Sequence, residues 1–151
     1  MSEHIWKPHV TVAAVVERAG TFLLVEEHTA DGLRWNQPAG HLEEGESLLD
    51  AVVRETLEES AWHFTPQALL GVYQWRVPGQ ARTYLRFAFC GAVGDHESAR
   101  VLDSGIVRAA WLDAQEIVAT GERHRSPLVL DCVRAWQSGV RYPLDLLHHL
   151  V

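Results

Sequence analysis

The chain has 151 residues and a formal charge of −7, with 47% apolar and 22% charged residues. That composition is globular and excludes disordered and fibrous chains, and the length suits one domain, residues 1–151, around a single core. The acidic balance argues against a nucleic-acid surface, because binding a phosphate backbone needs a basic face.

The first predicted elements are two β-rich runs, VTVAAVVE (10–17) and TFLLVEEH (21–28), around a short turn at Ala19-Gly20, which reads as a hairpin. The segment RWNQPAGHLEEGE follows, and Pro38, Gly40 and Gly45 mark it as a long shaped loop without regular structure. Ser47 with Asp50 three residues on predicts a helix start. From there Leu49, Val52, Val53 and Thr56 share one face of a helix, with Leu57 beside them. ALLGVYQWRV and TYLRFAFCGAV are expected to be strands either side of a Pro78-Gly79 turn. WLDAQEIVATG gives a strand end and a short helix, and SPLVLDCVRAWQSG a second long helix with Pro127 in its first turn. This order predicts an α/β fold, an α/β/α sandwich on a mixed β-sheet. Cys90 and Cys132 stand apart in apolar surroundings and read as buried free thiols. No apolar run reaches a membrane-spanning length and the start MSEHIWKPHV lacks a signal-peptide pattern, so a cytoplasmic protein without a membrane partner is expected.

The chemistry concentrates at 40–62, GHLEEGESLLDAVVRETLEESAW. From Gly40 to Glu59 this stretch holds seven carboxylates and one cation, Arg54. Two carboxylates roughly 5 Å apart repel by about 3 kcal/mol at an effective dielectric near 20. A solvated helix face usually interleaves Lys or Arg, and this one does not. At about 100° per residue, Glu55, Glu58 and Glu59 face one spot; a run of glutamates is usually a solvated helix face, but the repulsion left standing here suits a divalent cation. A calcium loop is a poor alternative, since it draws closely spaced oxygens from a loop whereas this triad is helical.

Gly40, Glu46, Arg54, Glu55, Glu58 and Glu59 form the pattern G-x5-E-x7-R-E-x2-E-E. Six fixed positions arise by chance in roughly one sequence of this length in 10⁵. The pattern is that of the Nudix box, and the chain resembles the Nudix hydrolases, which cleave diphosphates linked to another moiety with Mg²⁺ or Mn²⁺. Thr56 and Trp62 fill hydrophobic slots, and Ala61 stands where the family usually has a glycine. KPHVTVAAVV, WNQPAGHLE, QW, LRF, RSPLV and QSGVRYPL are similar to the phosphatase NudJ subgroup. That resemblance implies release of phosphate from nucleoside tri- and diphosphates and from hydroxymethylpyrimidine diphosphate.

The resemblance makes Glu55, Glu58, Glu59 and the Ala39 carbonyl metal ligands, with Mg²⁺ as cofactor and Mn²⁺ a substitute. Gly40 lets the loop approach the metal, Arg54 orients Glu58 or Glu46, and Glu46 is structural. In different members the general base lies in the box, here Glu55, or on a later loop, where Asp103 is the candidate and Glu97 the second. For a small-molecule substrate, Trp35, Tyr73 and Trp75 offer stacking faces, Gln37 a polar reader, and Arg86, Arg123 and Arg125 phosphate grips. A monomer is expected. The competing reading is a nucleotide sensor without catalysis. Such sensors lose box carboxylates, and this box keeps them all.

Overall fold

The computed structural model describes residues 3–150. Its strands are β1 (His9–Val15), β2 (Glu17–Arg18), β3 (Thr21–Thr29), β4 (Gly32–Asn36), β5 (Ala39–His41), β6 (Trp62–Arg76), β7 (Thr83–His96) and β8 (Ile106–Asp113). Its helices are α1 (Leu48–Ser60), α2 (Ala114–Ala119) and α3 (Leu128–Gln137).

Two four-stranded sheets form the middle layer. One has the order β5-β1-β7-β6 and is mixed, because β1 runs parallel to β7 and antiparallel to β5. In the other, β3 pairs with β2, β4 and β8, all antiparallel. Alternation along the strands sorts side chains to two cores. Val12, Ala14, Leu23 and Phe89 join Val52 of α1 on one side. Val15, Leu24, Ala88 and Cys90 join Val129, Cys132 and Val133 of α3 on the other. The expected α/β/α sandwich with a mixed sheet is what forms, and both cysteines are buried and free.

Three expectations change. The hairpin 10–28 is confined to β2, since only Glu17 and Arg18 pair with Phe22 and Thr21, while β1 leaves for the other sheet. The segment expected to lack regular structure contains β4 and β5, split by Gln37 and Pro38. Proline stops a strand only where a ladder needs its N–H, and here Pro38 contributes its carbonyl, accepting from Ala14 N–H at 3.0 Å. Finally, α1 buries Ala51, Val52, Glu55, Thr56, Glu59 and Ser60, while Leu49, Val53 and Leu57 stay half-buried. The helix is rotated so that two of its glutamates lie under β5.

The helix ends follow local chemistry. Ser47 Oγ accepts from the Asp50 N–H at 3.0 Å. At the other end Ala61 adopts φ 64° and donates its N–H to the Leu57 carbonyl at 2.9 Å, so alanine makes the left-handed turn a glycine usually makes.

The two-residue turn between Arg18 and Thr21 has φ 51° at Ala19 and 82° at Gly20. Positive φ at both central positions is what a type I′ turn requires, and Asn-Gly is its preferred pair. Ala19→Asn is therefore expected to stabilise the protein by about 0.5–1 kcal/mol, read as a rise of roughly 1–4 °C in Tm. An unchanged or lower Tm would count against this turn assignment.

Candidate active site

The site is assembled where the free edge of β5 meets α1. Ala14 N–H donates to the Pro38 carbonyl and Leu42 N–H to the Val10 carbonyl, so in this ladder the residues between, Ala39 and His41, point their backbone groups away from β1. α1 takes them up. Glu59 Oε1 accepts from the Ala39 N–H at 2.8 Å, and Arg54 Nη2 donates to the His41 carbonyl at 3.1 Å. The Ala39 carbonyl faces the same edge.

Gly40 explains itself between these contacts. A Cβ there would stand 2.1 Å from Glu55 Cδ and 2.2 Å from Glu55 Oε1, so the carboxylate occupies the space a side chain would fill. Its backbone φ is not positive, so glycine is required here for clearance rather than for conformation.

Arg54 gathers the acids. Its Nε and Nη2 hold Glu46 in a bidentate pair at 3.0 and 2.7 Å, and Nη1 reaches Glu55 at 2.8 Å and Glu58 at 3.2 Å. The Glu46 carboxyl is held below its usual range by the Arg54 hydrogen bonds, against the opposing effect of burial. Part of the crowding expected from the sequence is thus answered inside the box. The remainder is not. Burial raises the Glu55 carboxyl despite Arg54, and Glu58 and Asp103 add to the rise. Glu59, 8% exposed, is pushed up to about 9, first by burial and then by Glu27, Glu55 and Asp103, against the Ala39 N–H. No cation lies within ion-pair distance of Glu59 among the described residues.

Asp103 arrives from the loop before β8. Its N–H donates to the Glu58 carbonyl at 3.0 Å, which ties the loop to the end of α1. One carboxylate oxygen each from Glu55, Glu58 and Asp103 then lie within 4.8 Å of one another. Oxygen donors, net negative charge and room at Gly40 fit a hard divalent cation. Glu59 stands outside that group of three, deeper, on the Ala39 N–H. Glu97, the second candidate base, lies elsewhere and pairs with His63 at 3.1 Å and Arg100 at 3.2 Å.

Beyond the carboxylates a cleft of about 650 Å³ opens, with Glu55, Glu59, Ala39 and Gly40 at one end. Of the residues expected to meet substrate, Trp75, Arg86 and Arg125 line it. Trp35, Gln37 and Tyr73 do not. Trp35 is 3% exposed in the core facing α3, with Arg108 over its ring at 5.0 Å, because β4 turns it inward. Tyr73 packs against the same core, and burial pushes its hydroxyl up to about 12. Gln37 is 1% exposed and bridges, donating to the Val129 carbonyl at 2.8 Å and accepting from Arg86 at 3.0 Å. Of the three expected stacking faces, Trp35, Tyr73 and Trp75, only Trp75 lines the cleft. Trp75 stands parallel to Tyr84, 13° apart with ring centres at 6.2 Å. Arg123 is spent on Glu26.

Arg86 is the unusual group. It is 5% exposed, lines the cleft, and its partners are all neutral: Gln37 Oε1, Asn36 Oδ1 at 3.0 Å and Cys132 Sγ at 3.7 Å. No carboxylate pairs with it among the described residues. Buried charges are ordinarily paired. Asn36, Tyr84 and Arg82 were missed by sequence reasoning. For Arg82 and Tyr84 the one signal was the alternation Arg82-x-Tyr84-x-Arg86, which sends polar side chains to one face at and just before a strand, and Asn36 gave none.

Comparison with known proteins agrees with this geometry. A family model described as NUDIX domain matches residues 7–132. The chain is 42% identical over 143 residues to phosphatase NudJ of Escherichia coli strain K12, covering 95% of this chain and 92% of that protein. A solved NUDIX hydrolase from Nitrosomonas europaea superposes with a TM-score of 0.93 at 49% identity, covering 95% of this chain and 98% of that one. A UDP-X diphosphatase shares the fold at TM-score 0.73 and 19% identity, covering 91% and 67%.

Proposed function

Since the chain belongs to the NUDIX family and is a Nudix hydrolase, we propose that it is a Mg²⁺-dependent phosphohydrolase of nucleoside tri- and diphosphates and short heterocyclic diphosphates that releases orthophosphate. Mn²⁺ is the expected substitute metal. The observation that carries this reading is the convergence of Glu55, Glu58 and Asp103 within 4.8 Å, with Glu55 lining a cleft that also holds a buried Arg86 without a carboxylate partner among the described residues. A nucleotide sensor has no need of a complete acid cluster. The protein is proposed to act as one domain and as a monomer in the cytoplasm, on small molecules and without nucleic-acid partners. No helix among the described residues is long and apolar enough to cross a membrane.

Glu55 and Glu58, whose carboxylates converge with Asp103, would hold the cation together with the Ala39 carbonyl and the deeper Glu59. When bound, it supplies the positive charge that this acid cluster lacks and lowers the pKa of a coordinated water. The chain's own part is positioning. Arg54, braced by Glu46, fixes the Glu55 and Glu58 carboxylates, and Arg86 with Arg125 holds phosphate oxygens along the cleft. Asp103 is assigned as the base that takes a proton from the attacking water. Water adds to the terminal phosphorus, the bridging P–O bond breaks, and the shortened phosphate leaves with the bridging oxygen.

Hydrolysis of GTP in ¹⁸O-labelled water tests the regiochemistry. Label in free orthophosphate is the expected result, and label in the nucleoside monophosphate with released pyrophosphate refutes terminal attack. Asp103→Asn is expected to lower kcat by about 10² and to flatten the acidic limb of the pH–rate profile, with the Mg²⁺ concentration giving half-maximal thermal stabilisation within about threefold of the parent. An acidic limb of unchanged shape assigns the base to Glu55 instead.

A further inference from the structure

The sheet that forms one wall of the cleft carries its polar side chains in rows. His41, Thr11 and Arg86 are cross-strand partners and form one row, and His9, Tyr84 and Trp75 form the next row out. Cross-strand partners point to the same face. The acid end of the cleft is fixed at Gly40, where the Glu55 carboxylate sits, and Gly40 pairs with Val12. From the level of Val12 to that of His9 is three residues, about 10 Å at the rise of a strand, and from β5 to β7 is two strands, about 10 Å. The Tyr84 backbone is therefore roughly 14 Å from Gly40, and Trp75 lies one strand further.

The aromatic rings bridge this distance as a continuous strip. His41 and Tyr84 ring centres are 6.4 Å apart and Tyr84 and Trp75 6.2 Å apart. Arg82 Nη1 donates to the Tyr84 hydroxyl at 3.2 Å, which steadies the outer ring. Between the two ends lies Arg86, held by Asn36 and Gln37 and lacking an anionic partner among the described residues. The carboxylates stand on the α1 side of the β5 edge, whereas Arg86, in contact with Cys132 of α3, and the aromatic row face the α3 side, so the cleft passes round that edge from carboxylates to a buried guanidinium and then to parallel aromatic rings.

We propose that this order acts as a ruler: Tyr84 and Trp75 are specificity-determining residues that stack the base of a ligand whose sugar places it far from the reacting phosphorus, with an inner phosphate on Arg86. The ruler rests on the phosphohydrolase reading and adds a substrate preference to it. Nucleoside tri- and diphosphates reach both ends, whereas a heterocycle joined to its diphosphate through one carbon stops short of the outer rings and gains nothing from them. Stacking is tolerant of base identity, so the selection is for length rather than for a particular base.

The test is equilibrium binding by calorimetry in Mg²⁺ for the parent, Trp75→Ala and Tyr84→Leu. Three probes are used: guanosine 5′-(β,γ-imido)triphosphate, a pyrimidinylmethyl ester of methylenediphosphonate, and imidodiphosphate. The expected result is that each variant binds the nucleotide analogue about 10- to 100-fold more weakly. The short ester and imidodiphosphate should stay within twofold of the parent. Equal weakening of the nucleotide analogue and the short ester overturns the ruler, as does no weakening of either. Weakening of imidodiphosphate as well shows that the substitution has disturbed the acid end, and also overturns it. Failure of the parent to bind any of the three refutes the phosphohydrolase reading and the ruler with it.

Discussion

Glu59→Gln is expected to lower kcat by about 10² or more and at the same time to raise the Tm of the metal-free protein. Both effects come from one fact: Glu59 is 8% exposed, accepts from the Ala39 N–H and has no cation within ion-pair distance among the described residues, so without a metal its charge opposes folding. Glutamine keeps an oxygen for the Ala39 N–H and removes the charge. The catalytic loss is expected because the substitution removes a proposed metal ligand from a cluster that would function as a unit. The sign of the stability change is set by linkage. The carboxyl titrates near 4.5 in an unfolded chain and is pushed up to about 9 in the fold. A raised pKa contributes stability that is fully present below about 4.5 and lost as pH rises through about 9. The gap between variant and parent should therefore be absent near pH 4 and grow to its largest above pH 9. Near neutral pH it is on the order of 1–3 kcal/mol, or about 3–10 °C in Tm for a chain of this size.

Saturating Mg²⁺ should close or reverse the gap, because the cation stabilises the parent's folded state more than the variant's. Scanning calorimetry at pH 5 and pH 8, with and without Mg²⁺, reads all four conditions. A variant that melts at or below the parent at pH 8 without metal, or that turns over like it, sinks the ligand assignment. Glu46 acts in the opposite pH range. Its carboxyl is depressed by Arg54, so its contribution is present above the usual carboxylate pKa and lost on acidification. In the metal-free parent these two carboxyls therefore pull the pH dependence of stability in opposite directions.

Gly40→Ala is expected to cost about 10² in kcat with little change in Tm, and Gly45→Ala to show the reverse. At Gly40 the backbone suits any residue, but the new methyl would sit 2.1 Å from Glu55 Cδ. The carboxylate is the far end of a side chain and will yield, so folding survives while the Arg54 contact at 2.8 Å and the alignment with Glu58 and Asp103 are lost. A misplacement of about 1 Å at a reacting centre is enough for a loss of this size. At Gly45 the space is open but φ is +82°, so alanine costs about 1–2 kcal/mol in strain, roughly 2–8 °C, while kcat stays within about threefold. Paired measurements of kcat and Tm distinguish the two. A Gly40→Ala enzyme with parental kcat would show that the Glu55 position does not matter.

The α/β/α layering and α1 were legible because both rest on local periodicity. Glu55, Glu58 and Glu59 share a face through the helical repeat, Ser47 caps through its own hydroxyl, and the Gly40 to Glu59 spacing carries the family's pattern. Trp35 and Trp75 looked alike in the sequence, each an aromatic beside polar residues. Strand alternation and sheet membership then sent Trp35 into the core at 3% exposure and Trp75 to the cleft.

Sequence by itself determined the fold class, the family and the helical acids, since each depends on residues within a few turns of one another. Tertiary structure alone decided which face of α1 is buried, that β5 offers its free edge to Glu59 and Arg54, that Asp103 joins Glu55 and Glu58, and that Gln37 steadies Arg86 across 49 residues of chain. The physical reason is register. The pairing of Val12 with Gly40 and of Thr11 with Arg86 fixes which side chains meet, and a shift of one residue would send every one of them to the other face. Nothing in the neighbouring residues encodes that choice, because it is made by the burial of two whole cores at once.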